Sequence, residues 1–272
     1  MPEGHRVVQA VDHDEACHRV YTDAWGAHAH RWNLASLKAQ RLAEAEAWWM
    51  SPPCQPYTVR GRRRDLDDPR AESLVHVLDL VRARRPDVVA LENVPGFERT
   101  RAHRLVRTVL DDEGYGVHEQ LLCPSELGVP MRRPRFYLVA QRGAVPAPPA
   151  TEAVPRRPLR PFLDPEPDPS LWASDDLVAR YGPRLAVVDP SDPEALAHVF
   201  TGAYGTSPVY AGSWLATSTG PRLFSPGEIL RLLGFGDAVS VAGLSRKKAY
   251  KVVGNSLSVD AVRHVLSGIR AR

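Results

Sequence analysis

Cysteine is scarce in this chain. Cys17, Cys54 and Cys123 stand far apart and none belongs to a Cys-x-x-Cys pair, which excludes a disulfide framework and a cysteine-based zinc site. The ten histidines are scattered, with no His-Glu-x-x-His among them, so no metal is expected. No apolar run approaches membrane-spanning length, and the start, "MPEGHRVVQAVD", lacks the apolar core of a signal peptide. A cytoplasmic protein without a membrane partner is the expectation. Lysine is nearly missing, occurring only at Lys38, Lys247, Lys248 and Lys251. Arginine carries almost all the positive charge, a bias that fits a GC-rich genome, so where the arginines lie tells more than how many there are.

What remains is ordinary globular composition. The 272 residues, 43% hydrophobic and 25% charged, suffice for one large α/β domain or a domain with a smaller appendage. A net charge of +3 permits a nucleic-acid partner without demanding one.

The first half alternates short apolar runs with helical patterns. "RVVQAVD", "AEAWWMS", "PDVVALENV" and "RPRFYLVAQ" read as strands. "EACHRVYTDAW" follows the first as a helix. In "RAESLVHVLDLVRARR", Leu74, Val77, Leu78 and Val81 fall at helical spacing; in "RAHRLVRTVLDDEG", Leu105, Val106, Val109 and Leu110 do the same. This rhythm predicts an α/β fold: a doubly wound, largely parallel sheet over residues 1–143. Residues 144–222 begin proline-rich and continue irregular, reading as a small loop-dominated domain. Regular structure returns over residues 223–272, where Ser225 and Glu228 form a capping box with Pro226 at the first helical position.

One loop stands out. "MSPPCQPYTVRGRRR", Met50 to Arg64, holds Cys54 in a proline bracket beside a run of arginines. Proline fixes its own backbone and restricts the residue before it, so the Cys54 side chain is held in one direction. Nearby cations favour thiolate over thiol, which suits a nucleophile. In doubly wound sheets, ligands bind beyond the carboxyl ends of the strands. Cys54, Glu92 and Asp12 all follow such ends, so a thiol and two acids are expected on one rim.

"PPCQPY", "LENVPGF", "RRPRFYLVA" and "GNSLSVDAV" resemble, in order and interval, the motifs of the cytosine-C5 methyltransferases, over Arg6 to Gly143 and again from Phe224 to the C-terminus. The resemblance implies a Rossmann-like fold and methyl transfer from S-adenosylmethionine (SAM) to cytosine in DNA or RNA. It implies roles as well. Cys54 would add to C6 of the ring as a covalent nucleophile. Glu92 would hydrogen-bond the N3 side. Arg135 would aim its fork at the ring carbonyl and Glu92, with Arg133 supporting the site. A paired base cannot reach such a pocket, so the cytosine must be flipped out or already unstacked. On the cofactor side, Asp12 would accept from the ribose hydroxyls, His13 would cover the adenine and Asn33 would read its edge. Pro53 joins that set, and Asn255 and Ser256 would return to close the pocket. Gln55, Arg60, Arg62, Arg63, Arg64, Phe200 and Thr201 would face the nucleic acid, the arginines as phosphate contacts.

"DLDDPRAESLVHVLDLV", "FTGAYG" and "RLFSPGEILRLLGF" resemble the tRNA-methylating branch, and the short second domain fits it. That branch typically has Cys-Phe-Thr where this chain has Val199-Phe200-Thr201, so DNA stays the close competitor. A monomer is expected.

The family's opening strand and its Phe-x-Gly-x-Gly-Gly turn are missing. "RVVQAVD" corresponds to the family's second strand. In the doubly wound order the first strand lies centrally, so its loss should leave a gap beside the strand before Cys54 and expose backbone groups. Either the true start lies upstream of Met1, or the chain is a degenerate copy, or a neighbouring chain fills the gap; a truncated reading of a once-complete enzyme is the expectation. The alternative function is a catalytically inactive homologue that only binds nucleic acid.

Overall fold

The computed structural model describes residues 6–57, 64–143 and 154–269. Arg60, Arg62 and Arg63, expected to hold phosphates, lie outside them, as does the start of the proline-rich stretch. In the first half, β1 (Ala10–Val11), α1 (Glu15–Trp25), β2 (Ala29–His30) and β3 (Ala47–Met50) are followed by α2 (Glu72–Arg84) and β4 (Val88–Asn93). Then come α3 (Arg101–Asp112), β5 (Tyr115–Leu122), β6 (Met131–Arg132) and β7 (Arg135–Arg142).

Local chemistry sets the helix starts. Asp14 caps α1, accepting from the amides of Ala16 at 2.8 Å and Cys17 at 3.3 Å. α3 is capped twice: Thr100 Oγ1 accepts from His103 N at 3.0 Å, and the Asp65 carboxylate accepts from the amides of Arg101 and Ala102 at 2.6 and 3.0 Å. The expected apolar faces are buried: Leu74, Leu78 and Val81 on α2, and Val106, Val109 and Leu110 on α3, pack under β4 and β7 with Phe97 and Phe136. On the opposite face of the sheet, Ala261 and Val265 pack against Val88, Ala90, Tyr137 and Val139.

The main sheet has the order β3-β4-β7-β5. β3 and β4 are parallel, with Met50 opposite Leu91. β7 runs antiparallel to both β4 and β5, so it alone is reversed within the sheet. The largely parallel sheet read from the sequence is therefore mixed at the β7 insertion. β5 carries His118, Glu119 and Gln120 in sequence, a polar run that does not advertise a strand; its ladder with β7 makes it one.

β1 and β2 pair in parallel as a separate two-stranded sheet. Among the described residues β3 has no partner on its other edge, and Ala47 is exposed while Trp48, Trp49 and Met50 are half-buried. The Cys54 strand is thus an edge of the main sheet among the described residues. "RVVQAVD" forms only a two-residue strand, and Val7 and Val8 are exposed, because one neighbour supports only a short ladder.

The second half contains α4 (Asp175–Tyr181), β8 (Val187–Val188), β9 (Ala197–His198), β10 (Trp214–Leu215), β11 (Arg222–Leu223), α5 (Pro226–Leu232), α6 (Arg246–Asn255) and α7 (Val259–Leu266). Its core joins Phe200, Tyr204 and Trp214 to Ile229, Leu230, Tyr250 and Val253. The irregular stretch thus shares one apolar core with the C-terminal helices. Glu228 completes the capping box on Ser225 and also takes a bidentate ion pair from Arg222 at 2.7 and 2.9 Å. Both side chains are almost fully buried, 0% and 3% exposed, so the pair is desolvated and must stay paired.

Candidate active site

Parallel pairing of β3 with β4 brings their carboxyl ends side by side. The Cys54 loop leaves β3 there and turns tightly, with the Tyr57 amide donating to the Cys54 carbonyl at 2.9 Å. Asn93, 2% exposed at the end of β4, donates Nδ2 to the Pro52 carbonyl at 3.3 Å and accepts from Val94 N at 2.9 Å. The stiff turn is thereby tied to the neighbouring strand.

Glu92 sits one residue before Asn93, on the opposite face of the strand. In the antiparallel register Glu92 faces Tyr137, so Arg135, two residues earlier on β7, reaches it diagonally. Arg135 Nε lies 3.1 Å from Glu92 Oε1, with the side chains 14% and 13% exposed. Arg135 Nη1 also donates to the Pro134 carbonyl at 2.8 Å.

Burial pushes the Cys54 thiol above its ordinary range, Arg135 pulls it back, Glu92 pushes up again and Arg133 pulls down. Among the described residues Arg135 and Arg133 pull the thiol down, and they do not outweigh desolvation. Arg60, Arg62 and Arg63 of the neighbouring run lie outside the described residues; among the described groups the net shift runs against the thiolate expected from the sequence.

The structure separates the two arginines of "RRPRF". Arg133 is 3% exposed, and its fork is spent on main-chain carbonyls: Nη1 to Phe200 at 3.0 Å, Nη2 to Gly254 at 3.2 Å and to Ser256. Burial, then repulsion from Arg135, lowers its guanidinium to about 9, against the attraction of Glu92. It remains a cation at neutral pH. Arg133 supports the site by holding chain segments; Arg135 carries the contact with Glu92.

Phe200 requires correction as a nucleic-acid contact. Its ring is 1% exposed, packed at 5.0 Å from both Tyr204 and Phe224, so no base can stack on it. Thr201, its neighbour, is exposed, and its amide donates to the Ala211 carbonyl at 2.9 Å. Pro53, Gln55 and Arg64 are exposed along the Cys54 loop, and Gln55 accepts from Arg70 Nη1 at 3.4 Å.

Asp12 lies just past β1, its carboxylate half exposed, with Oδ1 accepting from the Asp14 amide at 2.8 Å. The His13 ring is 83% exposed beside it. Asn33 is exposed, and its Oδ1 accepts from Ala35 N at 3.0 Å. Lys251 Nζ pairs with Asp14 at 2.7 Å, which ties α6, and so Asn255 and Ser256 at its end, to the Asp12 loop. An acid for a diol, an exposed ring and an amide edge fit the nucleoside half of SAM.

Asn93 lies inside the "LENVPGF" motif but is given no role by it, and Lys251 belongs to no motif. Asn93 stands directly after Glu92, and strand alternation could have pointed it at the next strand's loop. Lys251 reaches across 237 residues of sequence and leaves no local signal.

A thiol on a stiff turn and an acid–guanidinium pair, at the adjoining carboxyl ends of α/β strands, form the candidate site of an enzyme. Residues 2–161 match the family of C-5 cytosine-specific DNA methylases, and the chain belongs to that family. A tRNA (cytosine(38)-C(5))-methyltransferase of Schizosaccharomyces pombe is 27% identical over 96% of this chain and 88% of its own length. The crystal structure of the S. pombe Dnmt2 methyltransferase superposes with a TM-score of 0.83 at 26% identity, covering 97% of this chain and 91% of that one. A methyltransferase of Entamoeba histolytica reaches a TM-score of 0.88 at 22% identity, over 97% and 90% of the two chains, a likeness of fold. The type II methyltransferase M.NgoBI of Neisseria gonorrhoeae is 27% identical over 77% of this chain. Among the described residues no helix is long and apolar enough to cross a membrane.

Proposed function

We propose that the protein methylates C5 of an unstacked cytosine with SAM as methyl donor, on tRNA in preference to DNA, through a covalent Cys54 adduct. One observation carries the reading: Cys54 and the Glu92–Arg135 pair occupy one rim, with the pair at 3.1 Å and shielded from water.

Each residue's task follows from its chemistry. The Cys54 thiolate adds to C6, and the ring electrons shift towards N3, which Glu92 meets with a proton or a short hydrogen bond. Glu92 raises the Cys54 thiol and Arg135 lowers it, so the two side chains that meet the ring also act on the nucleophile. Base recognition and nucleophile activation are coupled through that pair. The guanidinium of Arg135 fixes the carboxylate and offers further donors to the ring carbonyl. SAM supplies an electrophilic methyl group; Asp12, Asn33, Asn255 and Ser256 are the residues that would hold it. Once C5 carries the methyl group, its proton is removed and the Cys54–C6 bond breaks, returning the electron pair to sulfur and the double bond to the ring. The tRNA preference draws on the named activity of the S. pombe relative and on the short irregular stretch beside the site.

The test is methyl transfer to an unmodified tRNA transcript and to duplex DNA, with Cys54→Ala alongside. Transfer to tRNA that Cys54→Ala abolishes supports the reading; transfer by Cys54→Ala sinks the adduct. A second reading, a homologue that binds nucleic acid without turnover, draws on the edge of β3 that has no partner among the described residues. Salt-dependent tRNA binding with no calorimetric binding of S-adenosylhomocysteine would favour it.

A further inference from the structure

Arg133 sits where three distant parts of the chain meet. From the lead-in to β7 its fork holds the carbonyl of Phe200, at 3.0 Å, and those of Gly254, at 3.2 Å, and Ser256. Its amide donates to Cys123 Sγ at 3.2 Å, and its Nε has no partner. Carbonyls offer partial charge only, so this buried cation is held by the geometry of its fork and not by a carboxylate. A lysine would keep the charge and lose the three-way reach.

The two segments it grips also touch each other, backbone on backbone. A Cβ on Gly254 would lie 2.3 Å from the Thr201 carbonyl carbon and 2.5 Å from Gly202 N. One on Gly202 would meet Asn255 Oδ1 at 2.9 Å. Phe200–Gly202 and Gly254–Ser256 therefore cannot move independently. On one side of the contact Thr201 is exposed; on the other, Asn255 is exposed.

We propose that Arg133 is a positioning residue that makes target engagement at Thr201 and cofactor engagement at Asn255–Ser256 a single event. The inference rests on the methyltransferase reading, in which those two faces meet tRNA and SAM. Ordering either face orders the other through the shared grip, so each ligand finds its site already formed. By linkage the two affinities rise by the same factor.

Calorimetric titration of S-adenosylhomocysteine with and without an unmodified tRNA transcript, and of the transcript with and without S-adenosylhomocysteine, reads that factor. In the unaltered protein each ligand tightens the other about 5-fold or more. Arg133→Lys brings the factor to about 1 while each ligand still binds alone. Gly202→Ala, which pushes on Asn255 without touching Arg133, lowers it as well and serves if the lysine variant does not fold. Without ligands, hydrogen exchange in Arg133→Lys quickens in residues 200–202 and 254–256 together. Folded variants that keep the full factor overturn the proposal, as does quickening in only one segment. Binding of both ligands by the unaltered protein with no mutual effect overturns it and leaves the methyltransferase reading standing. Binding of neither ligand overturns that reading, and this proposal with it.

Discussion

Arg135 Nε lies 3.1 Å from Glu92 Oε1 across a diagonal of the β4–β7 ladder, and the pair is the charged neighbour of the Cys54 thiol. The guanidinium that pairs with the acid also lowers the pKa of the thiol against its burial.

Glu92→Gln keeps the shape of the contact and removes the charge. Methyl transfer falls about 10²- to 10⁴-fold, the span of a lost general acid. The Cys54 thiol moves in the opposite sense: with the carboxylate gone, its pKa drops towards the ordinary range. Arg135→Met raises it. Alkylation of Cys54 against pH reads both shifts, and opposite directions for the two variants are the expected result.

Asn93→Ala removes the donor to the Pro52 carbonyl and the acceptor for Val94 N in a buried place. Leaving such groups unsatisfied costs about 1–3 kcal/mol. The turn that holds Cys54 also loosens, so kcat falls more than KM rises. Urea unfolding and steady-state kinetics on the same preparation separate the two effects.

The Arg222–Glu228 pair is 3% and 0% exposed, and Glu228 also caps α5. Arg222→Met leaves a buried carboxylate without its cation and costs about 3–5 kcal/mol. Arg222→Met with Glu228→Gln together cost less than Arg222→Met alone, because no bare charge remains. Thermal unfolding of the single and double variants tests the order.

Asp14 is held below its usual range, first by the hydrogen bond from Lys251, with burial opposing and the amides of Cys17 and Ala16 assisting. A depressed carboxylate stabilises the fold above its unfolded pKa, ordinarily about 3.9, and loses that contribution as pH falls through the lower folded value. Asp14→Asn therefore melts below the unaltered protein at pH 7, and the difference shrinks below about pH 4. A difference independent of pH would remove the ion pair from the account.

Much of this protein is legible in the order of its residues. Periodicity and caps predict α1, α2, α3 and α5, because the signals for a helix lie within a few residues of it. The prolines around Cys54 act locally too, and strand alternation puts Glu92 at a strand end. β5 is not legible: its polar run becomes a strand only by pairing with β7. The two arginines of "RRPRF" look equivalent in sequence and differ wholly in the fold, since Arg135 faces a carboxylate and Arg133 faces carbonyls from residues 200, 254 and 256. Phe200, beside an exposed Thr201, looks available and is buried among Tyr204 and Phe224.

The sequence by itself determined the nucleophile turn, the acid at the end of β4 and the helices that frame them. Only the tertiary structure decided which cation meets which acid, that β7 enters reversed, and that the sheet is interrupted between β1 and β3. The reason is range. Proline geometry, capping and hydrophobic period act over a few residues, whereas burial, charge pairing and strand adjacency depend on residues up to 237 positions apart, as with Asp14 and Lys251.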